Sequence, residues 1–498
     1  MASERPSLSH DNDAPVKPAI VAGIISTWVA TFLAAADSTI TSTLSATIAN
    51  EFQSLALISW LGTAYLIGMT ATQPLSGKLT DIFGRRISFC CASGLFTVGN
   101  LVSGLSHSKL ILIVARVLSG IGGGGCISIA TFIASDHIPL RRRGLWQGIG
   151  AVNYTTGMAV GAAVGGVVND AAGWRWAFLG IAPISFAAGI GVAIFVPEHR
   201  KSYETPSELF NRVDLAGAAT LVASLVLLLV GLNHDGPQLV NRVFEITIPP
   251  GLALFAAFLL IETRWAKEPI IPLSLFRRRT VVATCLTAWF MSMSYYALSF
   301  YIPLYFQMLG YSTGQIGLRL LPDFIATALG SFLVGLLIRI TGQYGFFRYS
   351  MPVLLVGSAA GFGWISTQTH WVLPESYLAL KGFGMGGTLT MLLLALLHEV
   401  PHDRHATATS ALYAFRSTGA SVGLSSAGAI FNSQISQSAS KLGVPCKIGE
   451  PCYMDALHRT FKLALGLAAA GLVSALFIRA HSTHEAREAG SGGTEGEQ

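Results

Sequence analysis

Gly77-Lys78-Leu79-Thr80-Asp81-Ile82-Phe83-Gly84-Arg85-Arg86 is a charged, glycine-punctuated decapeptide set between two strongly apolar stretches. Charge is scarce in this chain: Asp, Glu, Lys and Arg make up 12% of its 498 residues, against about 25% in an ordinary soluble domain. Hydrophobic residues make up 52%, and the mean hydropathy is +0.56. Charge gathered in a tight turn between apolar helices marks a cytosolic loop, braces the structure or belongs to a gate. The decapeptide therefore reads as a turn joining two membrane-crossing helices, and the rest of the chain repeats that pattern.

A helix needs about 20 residues to cross a bilayer. Windows of that kind fall near 20–46, 57–77, 87–106, 110–134, 144–168, 174–196, 214–233, 245–264, 281–309, 315–339, 348–366, 375–399, 406–432 and 457–479. The reading is an all-α polytopic membrane protein of about fourteen transmembrane helices. The eighth window is short and opened by Pro249-Pro250.

Orientation follows from Lys and Arg. The even loops hold Lys78, Arg85 and Arg86, then Arg141 to Arg143, then Arg200, Lys201 and Arg212. They continue with Lys267 and Arg277 to Arg279, Arg348, and Arg404. The odd loops hold only Lys109, Arg175, Arg242, Lys441 and Lys447. Even loops and both termini are thus expected in the cytosol. The net charge of +6 is spread through short loops rather than one patch, so it reads as a topology signal and not as a nucleic-acid surface. Residues 1–19 and 481–498 are expected to be disordered cytosolic tails.

Of six cysteines, Cys90, Cys91, Cys126 and Cys285 sit inside apolar spans as small packing residues. Cys446 and Cys452 fall in a polar segment on the non-cytosolic side, where a disulfide can persist; two free thiols are the alternative. No zinc-ligand pattern, metal site or cofactor motif is present. The sequon at Asn153 lies inside a span and is expected to be silent.

The chain also echoes itself. Gly77 and Gly84 of the decapeptide recur as Gly335 and Gly342, although Arg339 stands where the first copy has Asp81. Arg116-Val-Leu-Ser-Gly120-Ile-Gly122-Gly123 recurs as Lys381-Gly-Phe-Gly384-Met-Gly386-Gly387, and Thr156-Gly157-Met-Ala-Val160-Gly161 as Thr418-Gly419-Ala-Ser-Val422-Gly423. Three echoes in the same order imply two six-helix halves, 20–200 and 281–480, around an insertion of two helices at 201–280.

Together with Asp37-Ser38-Thr39-Ile40, Ser59-Trp60 and Thr63-Ala64-Tyr65, these motifs resemble the fourteen-helix drug:proton antiporter branch of the major facilitator superfamily from end to end. The stretches Ser135 to Gly144 and Gln147 to Gly150 are most similar to fungal vacuolar transporters of basic amino acids. The resemblance implies the major facilitator fold and a proton-coupled exporter of small cationic or amphipathic solutes. Its partners are substrate, protons and lipid, and it implies a monomer in a vacuolar or plasma membrane. The branch's helix-5 motif is altered, with Ala162 in place of proline. Gly157, Gly161, Gly165 and Gly166 still allow close helix approach.

Ionisable residues inside spans are costly and are functional candidates. Asp37 lies about 13 Å below the outer end of its helix and Arg116 about 10 Å below the same surface, so depth permits an ion pair. Desolvation favours the protonated carboxyl and a neighbouring cation the charged one, so small rearrangements could load or release a proton. Asp37 is the candidate coupling carboxylate and Arg116 its partner, a purely structural pair being the alternative. Lys381, at the echo position of Arg116, and Arg416 are the second-half candidates for coupling or substrate contact. The ninth span has no acid but offers Tyr295, Tyr296, Phe300, Tyr301 and Tyr305, as cavity rings for an organic cation or as packing aromatics. Arg319 and Asp323, at i, i+4, are expected to pair. Gly77, Asp81, Gly84, Arg85 and Arg86 are read as a cytosolic gate loop, with Asp81 accepting from Arg85 or Arg86. No nucleotide-binding loop or nucleophile–base set appears, which argues against an enzyme and against ATP-driven transport. A non-transporting sensor would be expected to carry longer cytosolic extensions.

Overall fold

The computed structural model describes residues 18–138, 140–197, 215–232, 237–264, 276–341, 344–400, 405–442, 446 and 450–479. The expected tails lie outside the described residues apart from Pro18 and Ala19, which are helical rather than disordered, and the decapeptide's Lys78 and Asp81 side chains lie outside them too. Fifteen α-helices and no strand occur among the described residues. The first six are α1 (Pro18–Glu51), α2 (Ala56–Phe83), α3 (Arg85–Leu105), α4 (Lys109–His137), α5 (Leu140–Ala172) and α6 (Trp174–Phe195). Two follow in the insertion, α7 (Leu215–Leu232) and α8 (Pro237–Arg264). The remainder are α9 (Arg279–Met308), α10 (Thr313–Arg319), α11 (Leu321–Thr341), α12 (Phe347–Gly363), α13 (Val372–Glu399), α14 (His405–Leu442) and α15 (Pro451–Leu476).

Helix is the natural outcome for such a sequence, because a bilayer offers the backbone no hydrogen-bond partners and a helix satisfies its own. Nine stretches among the described residues are long and apolar enough to cross a membrane. Each window read from the sequence falls on a helix, the tenth on α10 and α11 together. Two local readings change. The decapeptide is almost entirely helical: α2 runs through Phe83, and only Gly84, at φ +87°, separates it from α3. A left-handed φ costs glycine nothing and other residues about 1 kcal/mol or more, so a one-residue turn is built on it. Pro249 and Pro250 lie inside α8 rather than at its start.

Helices α1 to α6 pack among themselves, as do α9 to α15, while α7 pairs with α8 and touches α2 and α14. The halves meet where α2 lies along α14 and where α5 lies along α10 and α11. Close approach depends on missing side chains. A Cβ at Gly157 would come 2.5 Å from the Phe32 carbonyl, and one at Gly165 would come 2.9 Å from Ile40. One at Gly161 would strike the Ala36 backbone. These three glycines seat α5 on α1, while Gly166 faces Thr313 of the other half. The Asn153 amide donates to the Trp28 carbonyl at 2.9 Å, so this sequon residue is a brace between the same two helices. Cys446 forms a disulfide with Cys452 in the first turn of α15.

Candidate transport site

Asp37 sits midway along α1 and Arg116 in the first third of α4. Arg116 Nη1 lies 2.9 Å from both Asp37 carboxylate oxygens, and neither side chain is exposed. The guanidinium carbon is 4.7 Å from the Tyr65 ring centre and 5.4 Å from that of Phe178. Tyr65 in turn donates to the Ala34 carbonyl at 3.1 Å. The glycines following Arg116 make this fit possible, since a Cβ at Gly123 would come 2.6 Å from the Tyr65 hydroxyl oxygen. The pair is tight but incomplete, for Arg116 Nε and Nη2 are buried with no hydrogen-bond partner among the described residues. Guanidinium and carboxylate usually meet through two parallel bonds. A single nitrogen serving both oxygens leaves those two donors without a partner among the described residues.

The second half carries a comparable pair that the sequence reading divided wrongly. Lys381 Nζ on α13 lies 2.9 Å from Asp323 Oδ2 on α11, with both side chains at most 2% exposed. Lys381 also donates to Ser299 at 2.7 Å and sits 4.2 Å above the Tyr295 ring, whose hydroxyl donates to Asp323 at 3.3 Å. Asp323 Oδ1 is buried without a partner among the described residues. The expected Arg319–Asp323 pair does not form, because the helix breaks at Leu320 and Asp323 restarts in the first turn of α11. Arg319 instead pairs with Glu375 of α13 at 2.5 Å. Pro322 was the available signal for the break.

Between the halves lies a cavity of about 20 Å³, room for a water molecule or two but not for an organic solute. Ser38, Thr39, Ser42 and Met158 line it from the first half, with Tyr295, Tyr296, Phe300, Asp323 and Lys381 from the second. Three of the five expected rings therefore face the cavity. Tyr301 and Tyr305 do not: Tyr301 packs on Phe431 with ring centres 5.1 Å apart, and Tyr305 donates to the Ser366 carbonyl at 3.1 Å. Successive helical residues point about 100° apart, so one helix cannot aim all five rings inward.

The end of the bundle opposite the described termini is latched across the halves. Asp170 Oδ2 on α5 accepts from the Ser312 hydroxyl at 2.9 Å and from the Gly314 amide of α10 at 2.8 Å. The Thr47 and Thr313 hydroxyls approach to 3.5 Å, and those of Thr63 and Ser425 to 3.3 Å. At the other end Arg85 pairs with Asp136 of α4 at 3.0 Å, its guanidinium 5.2 Å from the Phe132 ring centre. That brace joins α3 to α4 within one half. Gly77 lies inside α2, Arg86 is in the first turn of α3, and the Asp81 clasp lies outside the described residues.

The family model of the Major Facilitator Superfamily matches residues 27–424. The chain belongs to the major facilitator superfamily. This major facilitator is 35% identical over 408 residues to "Multidrug resistance protein fnx1" of Schizosaccharomyces pombe, covering 80% of this chain and 76% of that protein. It is 31% identical over 426 residues to "Vacuolar membrane amino acid uptake transporter fnx2" of the same yeast, covering 82% and 70%. Among solved structures it resembles an inward-facing bacterial homolog of the human lysosomal transporter Spinster. That match has a TM-score of 0.67 at 16% identity and covers 93% of this chain and 98% of that one. The protein is thus a multi-pass membrane transporter and not an enzyme.

Proposed function

We propose that this major facilitator is a proton-coupled antiporter that moves small cationic solutes, basic amino acids in particular, from the cytosol into the vacuole. The observation that carries the reading is the Asp37–Arg116 contact, fully buried yet leaving two guanidinium nitrogens unsatisfied. Protonation of Asp37 removes the countercharge of Arg116, and an uncompensated buried cation costs several kcal/mol, on the order of 3–5. Such a cost is large enough to shift the packing of α1 against α4. Asp323 and Lys381 face the cavity, where a cation entering from the cytosol would compete with Lys381 for the carboxylate. With both termini in the cytosol, as the Lys and Arg distribution implies, the latched end faces away from it. Similarity to a yeast protein named for vacuolar amino-acid uptake supports the cargo and the membrane.

The second reading is efflux of drugs or secondary metabolites across the plasma membrane, favoured by the 35% identity to a multidrug resistance protein. Purified protein in acid-loaded vesicles should accumulate labelled arginine or lysine, and a protonophore should stop it. Absence of such accumulation, with retained uptake of a cationic dye, would favour the second reading. Localisation of a fluorescently tagged chain separates the two membranes independently.

A further inference from the structure

Of the three candidate cations Arg116, Lys381 and Arg416, two have acidic partners among the described residues. Arg116 is held by Asp37 and Lys381 by Asp323. Arg416, about 17 Å into α14 from its first residue at 1.5 Å per residue, has no carboxylate partner and no hydrogen-bond acceptor among the described residues. Its one described contact is the Tyr413 ring, 5.8 Å from the guanidinium carbon. The residue as a whole is half-buried, and its guanidinium lies within the bundle. Tyr154 of α5, in the opposite half, and Tyr296 of α9 lie within electrostatic reach of it. Both are half-buried as well, and their hydroxyls have no hydrogen-bond partner among the described residues. Tyr296 also lines the cavity beside Asp323 and Lys381.

The charge balance is uneven. Each paired site is neutral, whereas Arg416 has no countercharge among the described residues. Intramembrane cations are expensive and are retained where they meet a countercharge. A guanidinium presents donors in a planar fork suited to a carboxylate, and two tyrosine hydroxyls from facing helices can add hydrogen bonds to the same anion. We infer that Arg416, with Tyr154 and Tyr296 beside it, binds the carboxylate of the cargo, so that this transporter selects amino acids over amines of equal positive charge. This rests on the amino-acid reading above and sharpens it: cation recognition alone would accept decarboxylated analogues, and the Arg416 pocket would not.

Wild-type protein in acid-loaded vesicles is offered labelled arginine and labelled agmatine, which is arginine without its carboxylate. Arginine is expected to be taken up at least about tenfold more efficiently, the worth of one charge-assisted hydrogen bond. Arg416→Gln should raise the KM for arginine by about tenfold or more and bring the ratio of arginine to agmatine uptake down toward one; Arg416→Lys should fall between. Equal uptake of the two compounds by wild type overturns this inference alone. No uptake of either overturns it together with the amino-acid reading. An unchanged arginine KM in Arg416→Gln also overturns it. Should that variant fail to fold, the wild-type ratio of arginine to agmatine decides the matter without it.

Discussion

Asp170 is an exposed part of the latch, and its replacement by Ala tests whether the halves part at that end. The carboxylate oxygen accepts two hydrogen bonds from the other half, at 2.9 Å from Ser312 and 2.8 Å from the Gly314 amide. A hydrogen bond to a charged group contributes about 1.5–3 kcal/mol when buried. Asp170 and Ser312 are exposed, and water competes for them, so about 1 kcal/mol each is the better figure. Removing both should shift the equilibrium toward the state open at that end by about 2 kcal/mol, roughly thirtyfold. The neighbouring Thr47, half-buried against Thr313, reports the opening. In a background lacking Cys90, Cys91, Cys126 and Cys285, a Thr47→Cys probe is labelled with a membrane-impermeant thiol reagent from the latched side. Asp170→Ala should raise the labelling rate about tenfold or more, and Ser312→Ala by a smaller factor. An unchanged rate in both variants would refute the idea that these bonds hold the end shut.

The second ion pair and the glycine seam give two further predictions. Lys381→Met leaves Asp323 buried and uncompensated and should destabilise the protein by about 3–5 kcal/mol, whereas Asp323→Asn with Lys381→Met should recover most of that loss. Thermal unfolding in detergent measures both, and a single variant as stable as the double would show that the pair is not buried as described. Gly161→Leu drives a side chain into the Ala36 backbone and should cost about 3 kcal/mol or prevent folding. Gly180→Ala, with nothing within 4 Å of the added carbon, should unfold within a degree or two of wild type.

The helical architecture was legible because hydropathy and chain length alone demand it. The nearness of Asp37 and Arg116 could be read from helical depth, and the Gly157–Gly161–Gly165 spacing from the need of α5 to approach α1. Asp323 was missed as the partner of Lys381 for a specific reason: the internal echo directed attention to the ninth span, the counterpart of α1. The structure takes the acid from α11 instead, the counterpart of α2. Pairing at i, i+4 presumes an unbroken helix, and the break before Pro322 voids it. The decapeptide looked like a loop because charge and glycine signal turns, yet a membrane-embedded backbone keeps its helix wherever it can and concedes one residue, Gly84. Partners distant in sequence, such as Asp136 for Arg85, leave no periodic trace and become visible only in three dimensions.

Asp37 as the proton-carrying group is the central claim, and proton movement tests it most directly. Vesicles holding the protein, an acidic lumen and a pH-sensitive dye receive external arginine. Wild type should alkalinise the lumen as arginine enters. Asp37→Asn should show no arginine-dependent proton release while still exchanging labelled for unlabelled arginine. Proton release from Asp37→Asn at the wild-type rate would contradict the account.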